Sequence, residues 1–168
     1  MARPDLSRVP SYFHNYIRQA EGESLPEIFR TQLPEMTLYL KELPPAKQGY
    51  RYAEGKWTVK EVLQHIIDAE RVFAYRALCI ARQDKTSLPA FDENLYADTS
   101  LANHRVWEDL VEEFLTVRRS TELLYQSFNQ EQLETSGTAS GKSIYVLGLG
   151  FVIAGHAAHH FSILKSRY

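Results

Sequence analysis

The sequence predicts an all-α fold, a bundle of four long helices with a short helical segment ahead of them, on three observations. Apolar residues recur at three- and four-residue spacing through four long stretches. Two of these open on a Ser/Thr-x-x-Glu pattern, which caps a helix start by exchanging hydrogen bonds between side chains and backbone. No stretch sustains the apolar–polar alternation of a half-buried strand, so no sheet is expected. The 168 residues suit one domain, residues 1–168, with enough chain to bury a core without disulfides or other staples.

From Met1 to Glu23 the pattern is irregular, but Tyr12, Phe13, Tyr16 and Ile17 recur at helical spacing and predict a short helix lying on the core. Ser24 and Glu27 have the form of a capping box, opening a helix whose stripe is Ile28, Phe29, Met36, Tyr39, Leu40 and Leu43. It stops at Pro44-Pro45 and is kinked or divided at Pro34, since an interior proline removes a hydrogen bond and crowds the preceding turn. Thr58 and Glu61 cap a second helix, with Val59, Val62, Leu63, Ile66, Phe73, Ala77 and Ile80 on one broad apolar face. A polar loop containing Pro89 and Asp98 leads to a third helix, roughly Leu101 to Phe128, carried by Val106, Trp107, Leu110, Phe114, Val117, Leu124 and Tyr125. Asn129 to Lys142 is polar and contains Gly137 and Gly141, after which Ser143 is placed to cap a last helix reaching Ser166.

Several function classes lose support at this level. A formal charge of −2 with no basic stripe gives no electrostatic reason for a nucleic-acid partner, because phosphate binding is driven by clustered Lys and Arg. Cys79 is the only cysteine, and Met1 to Pro10 lacks the apolar core of a signal peptide, so a cytoplasmic protein is expected. The apolar run from Ile144 to Ala158 is shorter than the ~20 residues that span a bilayer and reads as a buried helix, so no membrane partner is expected. Gly137-Thr138-Ala139-Ser140-Gly141-Lys142-Ser143 has one residue too few between its glycines for a phosphate cradle, and no strand is expected before it, so it reads as a turn. Gly148 and Gly150 have Ile153 where a dinucleotide fingerprint needs its third glycine. Their cost inside a helix, about 1 kcal/mol each relative to alanine, points to close helix packing, with a bulge or a late helix start as the competitor.

The chemistry-bearing residues are histidines. His156 and His160 are four residues apart and therefore share one face of the last helix, together with Ile153 and Leu164. An inward-facing imidazole needs a partner for its ring nitrogens, and a metal ion is one such partner. His65 lies on the second helix's stripe with Val62, Ala69 and Phe73, so a third imidazole enters the same interior. His159 is an alternative to His160 by spacing, but it falls nearer the boundary of the stripe. His14 and His104 occupy weakly patterned positions and read as surface or packing residues. Asp68 is in reach of His65 for a supporting hydrogen bond, although Asp68, Glu70, Arg71 and Arg76 together read better as an exposed or ion-paired face. Glu61 is expected to be occupied by the Thr58 cap, and Cys79 reads as core.

The run Gly55-Lys56-Trp57-Thr58-Val59-Lys60-Glu61-Val62-Leu63-Gln64-His65, continuing through Asp68-Ala69-Glu70-Arg71 to Tyr75-Arg76-Ala77-Leu78, resembles the second helix of the DinB/YfiT-like family. Ala154-Gly155-His156-Ala157-Ala158-His159-His160 is similar to that family's final histidine motif, and Leu88-Pro89-Ala90-Phe91-Asp92-Glu93-Asn94 resembles its intervening loop. The resemblance covers nearly the whole chain. It implies a four-helix bundle, commonly a homodimer, with a metal held by the second-helix histidine and the first and last histidines of the final motif, here His65, His156 and His160.

Neither the Glu-x-x-His pairs of di-iron bundles nor His-Glu-x-x-His is present, which leaves a mononuclear site. Imidazole ligands suit zinc first, with nickel, iron and copper as competitors. The resemblance implies an enzyme acting on a small-molecule substrate, either a transferase or isomerase using a low-molecular-weight thiol such as bacillithiol or mycothiol, or a metal-dependent hydrolase. Activation of the thiol or of water for attack on a small electrophile is therefore the leading expectation, with no general base assigned. A metal-binding, stress-associated or structural protein without catalysis is the alternative from another class.

Overall fold

The structure is a computed structural model and describes residues 3–168; Met1 and Ala2, at the start of the segment read as lacking a signal core, lie outside the described residues. Short 3-10 turns at Leu6–Arg8 and Ser11–Phe13 lead into α1 (His14–Gln19), followed by α2 (Leu25–Glu42), α3 (Pro45–Gln48), α4 (Val59–Ala81) and α5 (Glu93–Thr99). A further turn at Ala102–His104 precedes α6 (Trp107–Gln126), α7 (Gln130–Glu134), strands β1 (Ser136–Ala139) and β2 (Lys142–Tyr145), and α8 (Val146–Arg167). The long helices α2, α4, α6 and α8 form the bundle. Helix α8 packs chiefly against α4 and α1, and α4 also packs on α6.

Every residue from Val146 to Ala157 is buried, so α8 is the central helix. It is also long and apolar enough to cross a membrane, but its apolar surface is covered by the rest of the bundle.

The capping residues explain where the helices begin. Thr58 Oγ1 accepts from the Glu61 N–H at 3.2 Å and Glu61 Oε2 accepts from the Thr58 N–H at 2.7 Å, the complete reciprocal box. At α2 the expected box is incomplete: Ser24 is the N-cap but its side chain makes no cap bond, and Glu27 Oε2 instead accepts from the Glu23 N–H at 3.1 Å. Pro26, in the first turn, has removed one of the two N–H groups a cap can bind. Pro34 does not divide α2. It sits on the exposed face, where solvent can take the carbonyl that the missing N–H leaves free.

Three expectations need correction. The segment around Gly137–Ser143 is a β-hairpin, not an irregular turn: β1 and β2 pair antiparallel, with Thr138 opposite Ser143. Strands of four residues are too short to show alternation in the sequence, and the tight turn is made by Ser140 and Gly141, both left-handed at φ 52° and 70°. Ser143 is consequently inside a strand and caps nothing; α8 starts at Val146 behind Tyr145. The third long helix starts at Trp107 rather than Leu101, because Asn103 is tied to the α4 cap, accepting from Thr58 Oγ1 at 2.7 Å and donating to Glu61 Oε1 at 2.8 Å. The polar loop before it also contains α5, capped by Asp92.

The charges of α4 only partly form the exposed or ion-paired face expected of them: Arg71 and Glu70 are paired, Asp68 is not, and Glu70 and Arg76 are buried. Arg71 pairs with Glu113 near the surface. Glu70 and Arg118, 3% and 1% exposed, pair across α4 and α6 with Oε2 and Nη2 2.9 Å apart. The Arg118 guanidinium also lies 4.9 Å from the Phe29 ring. Burial pushes the Glu70 carboxyl up and Arg118 counteracts this. Removing one partner strands the other's charge, whereas removing both does not. Arg118→Ala should therefore cost about 3–5 kcal/mol in urea unfolding, and Glu70→Leu with Arg118→Met should recover most of it. A single mutant within about 1 kcal/mol of wild type would show that the pair is not a structural element.

Candidate metal centre

The phase of α4 is fixed by the Thr58 cap and by Trp57, whose ring folds over His65 with centroids 4.8 Å apart. His65 is thereby turned into the seam between α4 and α8. His156 and His160, one turn apart on α8, face it. The Nε2 atoms of His65 and His156 are 3.0 Å apart and those of His160 and His156 are 3.1 Å apart; the ligand atoms of all three lie within 4.8 Å of one another.

Tyr16 of α1 closes one side, its ring edge-on to His156 at 5.3 Å and to His159 at 5.2 Å. Gly155 makes that approach possible, because a Cβ there would lie 1.9 Å from the Tyr16 carbonyl oxygen. Close packing is thus the reason for this glycine. Gly148 and Gly150 likewise sit within reach of Tyr145 and Tyr125. His159 turns the other way, toward α1, with Nδ1 3.2 Å from the Gln19 side-chain nitrogen. His14 is a packing residue, its Nε2 against the carbonyls of Leu6 and Val9. Cys79 is buried.

Burial holds all three clustered imidazoles in the neutral form: His65 is lowered to about 4, His160 to about 3, and His156, also surrounded by the other two, well below its ordinary value. A neutral imidazole has one N–H and one lone pair. His156 Nε2, facing two other Nε2 atoms, can serve only one of them as donor or as acceptor. A cation uses three lone pairs at once. Nitrogens bound at ~2.0–2.1 Å stand roughly 2.9 Å apart in a facial octahedral set and roughly 3.3 Å apart in a tetrahedral one, and two of the separations here fall between those values. The residues therefore fit a divalent ion.

The cluster forms the floor of an open cavity of about 310 Å³ whose walls include Tyr12, Tyr16, Trp57, Phe73, Phe91 and Arg76. Glu93 stands at its rim, close enough for its negative charge to act on both His65 and Tyr16. A larger hollow, about 980 Å³ between α2 and α6, contains none of the histidines. Among the described residues, no other His, Cys, Asp or Glu joins the cluster. Asp68 does not support His65; it accepts from Gln64 Nε2 at 2.9 Å.

The sequence reading did not single out the cavity walls. Arg76 was legible in principle, since His65, Ala69, Phe73 and Arg76 follow one helical stripe. Glu93 and Tyr16 come from other elements, and no local spacing connects them to His65.

A family model described as the DinB superfamily matches residues 28–164. Among solved structures, YfiT from Bacillus subtilis, described as a probable metal-dependent hydrolase with an unusual four-helix bundle topology, superposes with a TM-score of 0.66 at 14% identity, covering 96% of this chain and 89% of that one. No curated protein matches the chain.

The neutral histidines have a measurable consequence. With folded pKa values below the ordinary 6.5, the unfolded chain takes up protons first, so stability falls as pH drops from about 6.5 toward about 4. Each fully coupled imidazole contributes a slope of up to about 1.4 kcal/mol per pH unit. Chelator-treated protein should lose stability in urea between pH 7.5 and 5, and His160→Leu should flatten the decline. A flat wild-type profile over this range would contradict the burial of neutral imidazoles.

Proposed function

The chain belongs to the DinB superfamily, and on that footing we propose that it is a metal-dependent enzyme acting on a small electrophile, with His65, His156 and His160 holding one divalent cation and water as the attacking nucleophile. The observation that carries this reading is the three-nitrogen donor set opening onto a cavity. A structural site is closed by a fourth protein ligand, whereas a catalytic one keeps a position free. Zinc is the first choice of metal for an imidazole set, with nickel and iron as competitors. When bound, such an ion supplies Lewis acidity, lowering the pKa of a coordinated nucleophile and polarising a substrate carbonyl.

The chain's own residues supply the remainder. Tyr12, Phe73 and Phe91 give apolar walls that exclude bulk water and strengthen electrostatic interactions inside. Trp57 and Tyr16 hold the imidazole rings in their orientations. Burial raises the Tyr16 phenol above its ordinary value, so it remains a hydrogen-bond donor at neutral pH. Glu93, on the rim beside His65, is the residue placed to accept a proton from the nucleophile. A low-molecular-weight thiol is the second candidate nucleophile. The aromatic walls favour it, because a soft sulfur anion gives up less hydration than hydroxide on entering an apolar cavity.

Two measurements test the proposal. Protein purified without a histidine tag should bind one divalent ion per chain, and alanine at His65, His156 or His160 should abolish tight binding, whereas His159→Ala should leave it intact; retention of the metal by all three variants would refute the ligand set. Glu93→Gln should lower kcat about 10²–10⁴-fold on a turned-over ester or thiol acceptor, with metal content unchanged. Unchanged kcat would remove Glu93 from proton transfer, and turnover only in the presence of added thiol would select the second nucleophile.

A further inference from the structure

Arg76 is 4% exposed and forms no ion pair with any carboxylate among the described residues. Buried guanidinium groups are normally paired, because losing hydration without a counter-charge is costly. The other buried arginine, Arg118, has Glu70; Arg76 has only neutral neighbours. Its Nη2 donates to the Pro89 carbonyl at 2.6 Å and to Ser140 Oγ at 3.0 Å. Its Cζ lies 5.7 Å from the Phe73 ring and 5.8 Å from the Phe91 ring. Both of these hydrogen bonds come from Nη2, and Arg76 lines the histidine-floored cavity.

The scaffold around the guanidinium is specific. Ser140 reaches it from the hairpin tip, where the two-residue turn holds its backbone left-handed at φ 52°. The Ser140 N–H donates to the Leu88 carbonyl at 2.9 Å and the Leu88 N–H donates to the Thr138 carbonyl at 3.0 Å, which joins the hairpin to the segment carrying Pro89. One hydroxyl and one carbonyl therefore hold one edge of the guanidinium and leave the other free. The Phe73 ring lies beside both groups, 5.9 Å from the His156 ring and 5.7 Å from the Arg76 Cζ. Glu93 lines the same cavity, and its negative charge acts on His65. Three neutral ligands would leave a divalent ion its full charge, so the cavity as a whole is complementary to an anion.

We propose that Arg76 is a specificity-determining residue that binds an oxyanion, and that the substrate is a small acid whose carboxylate or equivalent group sits at Arg76 while its reacting bond lies over the histidines, with the Phe73 ring beside both. The inference rests on the reading of this cavity as the substrate site; the binding of an acid by Arg76 does not require the metal.

That independence sets the test. 3-Phenylpropionate and 3-phenylpropionamide, alike in shape and different in charge, are titrated into the full chain by calorimetry and by Trp57 fluorescence, in chelator-treated and zinc-loaded protein. Wild type should bind the acid about 10–100-fold more tightly than the amide even without metal, the range of a charge-assisted hydrogen bond to a buried group. Arg76→Gln should bind the two within about 2-fold while melting as wild type, and Arg76→Lys should retain part of the preference. A preference in wild type that appears only with zinc, or one that survives in Arg76→Gln, would overturn the proposal. If Arg76→Gln does not fold, the metal-free wild-type comparison decides alone. A metal-free preference in protein that binds no zinc would leave Arg76 standing and refute the metal centre instead.

Discussion

Three neutral imidazoles meeting in the seam between α4 and α8 are the constraint to which the rest of the bundle is fitted. Two come from one helix and need only the α-helical repeat, but the third must arrive from α4 in the correct phase. The Thr58–Glu61 box and the Trp57 ring on His65 set that phase. Helix α8 carries its histidines in an almost wholly apolar segment, so the rings are dry enough to stay unprotonated. Gly155 then lets the backbone of α1 come close enough for Tyr16 to cover His156.

Charge is distributed around this seam with economy. Inside α4, Glu70 is neutralised by Arg118 and Arg71 is paired at the surface with Glu113. Arg76 is buried in the wall of the histidine-floored cavity with no carboxylate paired to it among the described residues. The cavity thus combines three clustered imidazoles, a carboxylate and a guanidinium with aromatic walls.

Much of this was legible in the sequence because helical periodicity is local. Val62, His65, Ala69 and Phe73 state their common face by spacing alone, and His156 with His160 do the same. Of the two candidates on α8, His160 turns toward His156 and His159 toward Gln19. The DinB resemblance agrees with the family match and with the observed bundle. The hairpin was missed because four-residue strands carry no period, and its turn resembled a glycine-rich loop. Ser24 was legible as the N-cap position but not as an empty cap, since Pro26 changes which donors remain. Glu93 and Tyr16 were invisible as site residues because only tertiary packing brings α5 and α1 to α4 and α8.

The most direct measurement is the visible absorption of the chain titrated with cobalt(II). Convergence of three imidazoles predicts a single saturable equivalent with intense, low-symmetry d–d bands that shift when a small exogenous ligand takes the free position, and that are absent from a chain in which His156 is alanine. Bands no stronger than those of hexaaqua cobalt, or bands indifferent to both exogenous ligand and the loss of His156, would contradict it.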